Sequence, residues 1–488
     1  MKPSKYQLDI FEKIRNTKSN ICISATAGSG KSTTIVKSSE LLPRTERSIF
    51  VAFNAEIVKS LKLKLPYNID CLTIHSLGMR SIIGSVGVKM LVSKYKVLGF
   101  CEKLKEKNSF DNKEWLGFKF NVFEIVNKLR LNMLEPTIEN INFVIDYYDI
   151  STIGDEAIDS IEIFNDITIY NKNLSKKTNV IDFIDMIYLP AMYDYFTLPT
   201  YDNVFVDEGQ DLSKLQHLFI NKLVNKKGRI VFVGDKYQAI YGFAGADVSS
   251  FESFEKRENT LNLPLSICYR CAKEIVKKAK EVNDEIEPFD EQKEGVVRQG
   301  SFQEIDQGDM VLSRITRPLI YLFYKLLENN KKSYIVGKDI ETGLKNLVIK
   351  LKGVSVEKGM ERLRGDLMKI FNDLKANGYE APERHPKYVN LSEKIMAIQI
   401  ISKGCDDMKE VEQKISQIFE EKKDAIKLMT IHKSKGLENE RVFLITKFDG
   451  MILQPWKYAK KSWELVQERN LMFVAYTRAK SELILFEI

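Results

Sequence analysis

Cysteine and histidine are scarce in this 488-residue chain. Six cysteines are scattered at Cys22, Cys71, Cys101, Cys268, Cys271 and Cys405, too thin a density for a disulfide scaffold. Cys268 and Cys271 form a C-x-x-C, but a zinc site needs two more ligands nearby. The four histidines, His75, His217, His385 and His432, do not stand at ligand spacing, so a metal cluster is not expected. No apolar run approaches the ~20 residues that span a bilayer. The opening Met1-Lys2-Pro3-Ser4-Lys5-Tyr6-Gln7 lacks a signal-peptide apolar core. An intracellular protein (cytoplasm, nucleoid or nucleus) without a membrane partner is expected. Charge is not strongly one-sided: 74 Lys plus Arg stand against 67 Asp plus Glu, a net +7. That excess permits a polyanionic partner without requiring one. Repeats of fixed short period and low-complexity linkers are also absent from the sequence.

Hydrophobic residues make up 44% and charged residues 29%, the balance of a folded globular protein. At roughly 100–200 residues per domain the length allows two to four domains. Strand-like runs occur at Asn20–Ala25, Ser48–Phe53, Asn203–Val206, Arg229–Val233, Met310–Ser313, Ser333–Val336, Ile426–Thr430, Arg441–Ile445 and Glu482–Phe486. Most are short, rich in Val, Ile and Phe, and without alternation, as strands buried on both faces of a parallel sheet are. Helical segments between them predict an α/β fold. The stretch 78–200 lacks the strand rhythm and reads as mostly helical, as does the charged stretch 341–423. In the latter, Met360, Leu363, Leu367, Ile370, Phe371 and Leu374 follow helix spacing, with Gly378 suited to the stop; Val411, Ile415, Ile418 and Phe419 mark a second amphipathic helix. Both stripes read as core packing.

The residues that carry chemistry begin at Ala25-Thr26-Ala27-Gly28-Ser29-Gly30-Lys31-Ser32-Thr33, directly after a strand and opening a helix. Small residues let backbone N–H groups wrap a phosphate chain, Lys31 would neutralise the β- and γ-phosphates, and the Ser32 hydroxyl would hold Mg²⁺. The strict pattern has Gly where Ala25 stands. Next, the strand Val204-Phe205-Val206 runs into Asp207-Glu208-Gly209-Gln210-Asp211. In a P-loop fold the strand-end Asp207 coordinates Mg²⁺, usually through water, and Glu208 can accept a proton from the attacking water. A third strand ends in Gly234-Asp235-Lys236-Tyr237-Gln238-Ala239-Ile240-Tyr241-Gly242-Phe243-Ala244-Gly245-Ala246. Gln238 could sense the γ-phosphate, and Tyr241 and Phe243 either stack on bases or fill a core. Downstream lie Tyr269-Arg270, then Thr430-Ile431-His432-Lys433-Ser434-Lys435-Gly436-Leu437-Glu438, then Glu468 to Ala479. Phosphoryl transfer needs positive charge opposite the metal, so Arg270 and Arg478 are candidates; each taken alone reads rather as a surface ion-pairing arginine.

The order of these blocks resembles superfamily 1A DNA helicases of the UvrD/Rep type, from Gln7 to about Lys480. Phe50-Val51-Ala52-Phe53-Asn54 and Cys71-Leu72-Thr73-Ile74-His75-Ser76-Leu77 are similar to the helicase portion of F-box DNA helicases. An F-box ahead of the P-loop and a nuclease after Ile488 are not expected. The resemblance implies two RecA-like parallel-sheet lobes, each with a mainly helical insertion. The first lobe is 1–77 with 201–263, its insertion 78–200; the second is 264–340 with 424–488, its insertion the short 341–423. It implies ATP and Mg²⁺ as cofactors, with Gln7 reading adenine, Ala27 to Thr33 as the phosphate loop, and Tyr269 stacked on adenine. Arg270 and Arg478 become arginine fingers, Gln238 the γ-phosphate sensor and Glu438 the ribose ligand. Phe53, Asn54, Thr73, His75, Tyr241, Phe243, Thr430 and His432 fall in blocks lining a single-strand channel. The implied activity is 3′→5′ movement on single-stranded DNA and at single/double-strand junctions, with a loading, replication or repair partner. The family block I-Y-R-W-R-G-A reads here Ile240 to Ala246 with Phe243 for Trp and without either Arg, so weaker grip is expected. Three other readings are a translocase that strips bound proteins with weak strand separation, a non-motor nucleic-acid-binding module, and a small-molecule kinase.

Overall fold

The computed structural model describes residues 2–488 except 53–54, 106, 108–111, 149, 151–155, 243–244, 248, 377–378, 380, 456–458 and 460. Phe53, Asn54, Phe243 and the helix stop at Gly378 therefore lie outside the described residues. The chain divides into two compact units, Met1–Ser266 and Ile267–Ile488.

The first unit is built on six strands: β1 Asn20–Ala25, β2 Ser48–Ala52, β3 Ile69–Thr73, β4 Tyr201–Val206, β5 Val224–Gly234 and β6 Thr260–Leu265. They lie in the order β3-β2-β4-β5-β1-β6, and every pairing is parallel. Every residue of β2 is buried, as are the last four of β4 and the last six of β5, which is why these segments are continuous apolar runs. Because the strands are parallel, β1, β4 and β5 deliver their C-terminal ends to one edge of the sheet. Ser24 of β1 pairs with Gly234 of β5, and Val206 of β4 pairs with Phe232 of β5. The tip of β5 thus lies between the phosphate loop and Asp207. This edge is where open parallel sheets bind ligands.

The first helix, Lys5–Asn16, starts with a reciprocal cap between Ser4 and Gln7. Its end is fixed by the buried Arg229, which donates to the carbonyls of Ile14 at 2.6 Å and Thr17 at 2.7 Å. Between β3 and β4 the described residues are mainly helical, with one short parallel pairing of Leu91–Val92 with Val180–Ile181. Among the described residues six α-helices, including Ile74–Val86, Lys96–Cys101, Asn112–Asn132, Glu156–Lys172 and Asp185–Met192, share one core with the adjoining sheet face. Helix Ile74–Val86 runs without a break across the expected lobe–insertion boundary at 77/78, because its N-cap, Thr73, is the last residue of β3.

The second unit repeats the plan with β7 Val296–Gln299, β8 Met310–Ser313, β9 Ser333–Ile335, β10 Ile426–Thr430, β11 Asn439–Phe448 and β12 Ala479–Glu487. The order is β7-β12-β11-β8-β10-β9, all parallel, and Met451–Ile452 adds a short antiparallel pairing to β11. Helices Lys338–Val348, Val356–Ala376, Pro386–Ile401 and Met408–Phe419 separate β9 from β10. Both apolar stripes face inward: Met360, Leu363 and Leu374 are buried on one helix, Val411, Ile415, Ile418 and Phe419 on another. The fold is thus α/β with two parallel sheets of the RecA-like kind. Among the described residues no helix is long and apolar enough to cross a membrane.

Candidate nucleotide and nucleic-acid sites

The phosphate loop leaves β1 at Ala25, which is still strand and pairs with Leu265. Extended backbone needs no glycine there, which is the physical reason Ala25 substitutes for the Gly of the strict pattern. Glycine is required further on: Gly28 and Gly30 have φ of 70° and 79°, the left-handed region. Gly30 then caps helix Lys31–Ser39 without a side-chain hydrogen bond to the cap. Such an end offers free N–H groups and the positive pole of the helix to an anion. Ser29 is 1% exposed, and its Oγ finds no hydrogen-bond partner among the described residues. A buried hydroxyl without a partner is costly unless a ligand satisfies it. Ser32 and Thr33 turn to the surface.

Lys31 points at the strand tips. Its Nζ lies 3.1 Å from Glu208 Oε1. Glu208 Oε2 accepts from Gln210 Nε2 at 2.6 Å, and Gln210 Oε1 accepts from the Asp235 amide at 3.0 Å. Asp235 Oδ2 accepts from Gln238 Nε2 at 2.6 Å. An unbroken line therefore joins Lys31, Glu208, Gln210, Asp235 and Gln238. Glu208 itself sits at φ 52°, ψ 39°, a left-handed conformation unusual for a residue with a Cβ. Asp207, one position earlier, is buried, and its Oδ1 accepts from the Glu208 amide at 2.9 Å.

Three carboxylates thus face one lysine. Burial pushes Asp207 up to about 6, with the Glu208 charge adding to it and Lys31 opposing. Burial likewise pushes Asp235 to about 6 against the pull of Lys31 and Gln238. Burial alone would pull Lys31 down, but Glu208, Asp207 and Asp235 together hold it above the ordinary lysine value. This excess of negative charge, set beside an orphaned buried hydroxyl, fits a divalent cation and a polyphosphate. Sequence reasoning placed Lys31, Asp207, Glu208 and Gln238 but missed Gln210 and Asp235, which connect them. Asp235 follows a strand tip just as Asp207 does, and that was the available signal.

Gln7 reaches the same loop. Its Nε2 donates to Thr34 Oγ1 at 2.9 Å, and its Oε1 accepts from the Ser4 amide at 3.0 Å.

The second unit gathers the other candidates. Arg270 Nε lies 2.5 Å from Glu438 Oε2, and Lys480 Nζ lies 2.8 Å from Glu438 Oε1. Partial burial would raise the Glu438 carboxyl, but Lys480 and Arg270 hold it below the usual range. Arg270 also donates to the Thr477 carbonyl at 3.4 Å. Arg478, 1% exposed, is not a surface ion-pairing residue. It donates to the carbonyls of Val474 at 2.9 Å and Leu437 at 3.0 Å and to Thr477 Oγ1 at 3.2 Å. The Tyr269 ring lies 5.0 Å from that of Phe289, and its carbonyl accepts from Gln292.

The channel candidates show one tripeptide used twice. Thr73-Ile74-His75 starts on the last residue of β3 and Thr430-Ile431-His432 on the last residue of β10, and in each the threonine is the N-cap of the helix. The His75 ring meets Phe183 edge-on at 6.1 Å, and Phe183 is 53% exposed. Sequence reasoning missed Phe183, since a single Phe in a helical stretch gives no signal. Tyr241 is half-buried, and its phenol is raised by burial and by the nearby Asp211 and Glu208.

Burial pulls the His432 imidazole down to about 3, with Arg314 and Lys433 adding to the shift. His432 is expected to stay neutral across the physiological range. The unfolded chain takes that proton near 6.5 and the folded chain only near 3, so stability falls as pH drops through this window. The His432 ring-proton NMR resonance should stay flat from pH 8 to 5; a midpoint near 6.5 would contradict the burial.

A glycine-rich loop that opens a helix, with paired carboxylates on a strand tip two places across the same parallel sheet, has the form of a P-loop α/β protein. Residues 8–259 match the UvrD/REP helicase N-terminal domain, and the chain belongs to that family. It is 24% identical over 233 residues to ATP-dependent DNA helicase Rep of Buchnera aphidicola subsp. Baizongia pistaciae, covering 46% of this chain and 33% of that protein. It is 22% identical over 499 residues to F-box DNA helicase protein 1 of Schizosaccharomyces pombe, covering 95% of this chain and 55% of that protein. A third similarity, 34% over 124 residues, is to ATP-dependent DNA helicase PcrA of Staphylococcus aureus, covering 23% of this chain and 16% of that protein. The matched regions therefore span between 16% and 55% of the length of these three relatives.

Proposed function

We propose that the chain is an ATP-driven motor on single-stranded DNA, a helicase or translocase moving 3′→5′. The observation that carries this reading is the line from Lys31 through Glu208, Gln210 and Asp235 to Gln238, which ties the phosphate loop to two strand tips. The names of the relatives support ATP and DNA.

Ser32 and Asp207 would hold Mg²⁺, which supplies charge neutralisation at the phosphates. The backbone amides of Ala27 to Thr33 wrap the phosphate chain, and Lys31 neutralises its end. Glu208 takes the proton of the attacking water as the new P–O bond forms and the bond to the bridging oxygen breaks, giving ADP and phosphate. Gln238, held by Asp235, reports the γ-phosphate. Gln7, which holds Thr34 in the structure, would read adenine. For the second unit the roles proposed are those that the resemblance implies: Tyr269 for adenine stacking, Arg270 and Arg478 as arginine fingers and Glu438 for the ribose. In the structure Arg270 pairs with Glu438 and Arg478 with backbone carbonyls. Thr73, His75, Phe183 and Tyr241 of the first unit, Thr430 and His432 of the second, and Phe53, Asn54 and Phe243 from the sequence grip the strand, with stacking of ~1–3 kcal/mol per base.

ATP turnover measured without nucleic acid, with single-stranded DNA and with RNA tests the reading, followed by unwinding of 3′- and 5′-tailed duplexes. DNA-stimulated turnover and unwinding from the 3′ tail are expected. Turnover indifferent to any strand would leave a binding module; unwinding from the 5′ tail alone would reverse the polarity. A translocase with weak strand separation is the second reading, favoured by buried Gly242 where the resemblance calls for Arg. Strong displacement of a bound protein with poor unwinding would select it.

A further inference from the structure

The insertion of the first unit buries a charge cluster with no part in the chemistry above. Asp182, Phe183, Ile184 and Asp185 form a turn closed by two reciprocal hydrogen bonds. The Asp182 amide donates to Asp185 Oδ2 at 2.9 Å, and the Asp185 amide donates to Asp182 Oδ1 at 2.7 Å. Arg130 clasps Asp182 through both Nη atoms, at 2.7 and 3.0 Å, and reaches Asp185 Oδ1 at 2.6 Å. Lys96 Nζ lies 2.6 Å from Asp185 Oδ2, and Asn171 Nδ2 donates to Asp185 Oδ1 at 2.7 Å. Two acids and two bases, each no more than 6% exposed, balance to zero charge. They come from three separate helices and the turn, and the turn's one exposed side chain is Phe183, beside His75.

Burying four charges is a poor way to gain stability, since an apolar cluster of equal volume commonly does as well or better. Arg130 Nε is buried and finds no hydrogen-bond partner among the described residues, so within them the cluster is not fully satisfied. What charge pairing supplies and apolar contacts do not is direction: a bidentate guanidinium fixes both carboxylates, and through them both amides of the turn. We propose that Arg130, Asp182, Asp185 and Lys96 are positioning residues that hold the Phe183 ring rigidly beside His75 as a ready-made stacking surface for a nucleic-acid base. The inference rests on the reading of the His75 face as a single-strand contact. A preset ring loses less freedom on binding than a mobile one, so affinity is gained before any contact is added.

A double-mutant cycle on the full chain tests it, using anisotropy of a fluorescent oligothymidine and ATP turnover. Phe183→Ala should weaken binding by roughly tenfold to a hundredfold. Asp182→Asn should weaken it several-fold, and should add nothing in the Phe183→Ala background. In Asp182→Asn the DNA concentration for half-maximal turnover should rise while the maximal rate holds. Additive effects, or binding unchanged by Asp182→Asn, would overturn the proposal. Should Asp182→Asn not fold, hydrogen exchange of the wild-type Asp182 and Asp185 amides decides. Slow exchange without DNA is expected, and fast local exchange would refute a held turn. Absence of oligothymidine binding by the wild-type chain would refute the functional reading instead, while the exchange result would still judge the turn.

Discussion

Lys31→Ala is expected to lower ATP turnover by about 10²–10³-fold or more, the loss typical when one preorganised partner of a developing charge is removed. Its ammonium lies 3.1 Å from Glu208 Oε1, and it extends from a helix start already favourable to phosphate. Binding of single-stranded DNA should persist, because Thr73, His75 and Phe183 do not depend on Lys31. The substitution also has a consequence for stability. Without the lysine, Asp207, Glu208 and Asp235 lose the charge that opposes their mutual repulsion. Asp207 and Asp235 already stand near 6, and they should rise further. A carboxyl raised in the folded state binds its proton there more tightly than in the unfolded chain, so stability falls as pH rises through the folded value. The variant should therefore be closer to wild type in melting temperature at pH 5.5 than at pH 7.5. Lys31→Met, which keeps most of the side-chain volume, should show the same loss of turnover and the same pH trend. Phosphate release within tenfold of wild type would remove Lys31 from the chemistry.

Much of this could be read from the sequence because parallel strands buried on both faces leave continuous apolar runs, and because the phosphate loop is local in sequence. All nine strand-like runs coincide with strands to within a few residues at their ends. Of the twelve numbered strands three escaped, each for a physical reason. β6 carries Pro264, which resembles a breaker, but β6 is the edge of its sheet and an edge tolerates proline. β7 ends in Arg298 and Gln299, the polar composition of another edge strand. β3 leads straight into its helix through Thr73, so the strand merges with the block that follows. At the site, residue identity suggested Arg478 as an outward-reaching cation, yet its guanidinium is turned onto backbone carbonyls. Nothing in one sequence shows which way a guanidinium points. Gln210 and the cluster around Asp185 are equally invisible, because Asp235, which Gln210 meets, and Arg130, which Asp185 meets, lie 25 and 55 residues away in the chain.

Gly78→Ala is expected to destabilise the first unit by about 3 kcal/mol, near the upper end of what overpacking usually costs. In a helix interior, glycine to alanine ordinarily stabilises by ~0.5–1 kcal/mol, chiefly through the unfolded chain. Here a Cβ would stand 1.7 Å from the Met186 carbonyl oxygen and 2.7 Å from its carbon. The obstacle is backbone, so no rotamer change relieves it. Nor can the neighbouring helix readily retreat, because its first residue, Asp185, is pinned by Arg130 and Lys96. At roughly 2–4 °C per kcal/mol for a unit of this size, the melting temperature should fall by about 6–12 °C. Gly84 supplies the control within the same helix: a Cβ there meets nothing within 4 Å, so Gly84→Ala should leave the melting temperature unchanged or raise it slightly. Equal melting temperatures for the two variants would show that the helices do not approach at Gly78. Since Gly78 lies one turn beyond His75, whichever helix gives way must separate His75 from Phe183. Gly78→Ala should therefore also weaken binding of single-stranded DNA at temperatures where it remains folded, and Gly84→Ala should not.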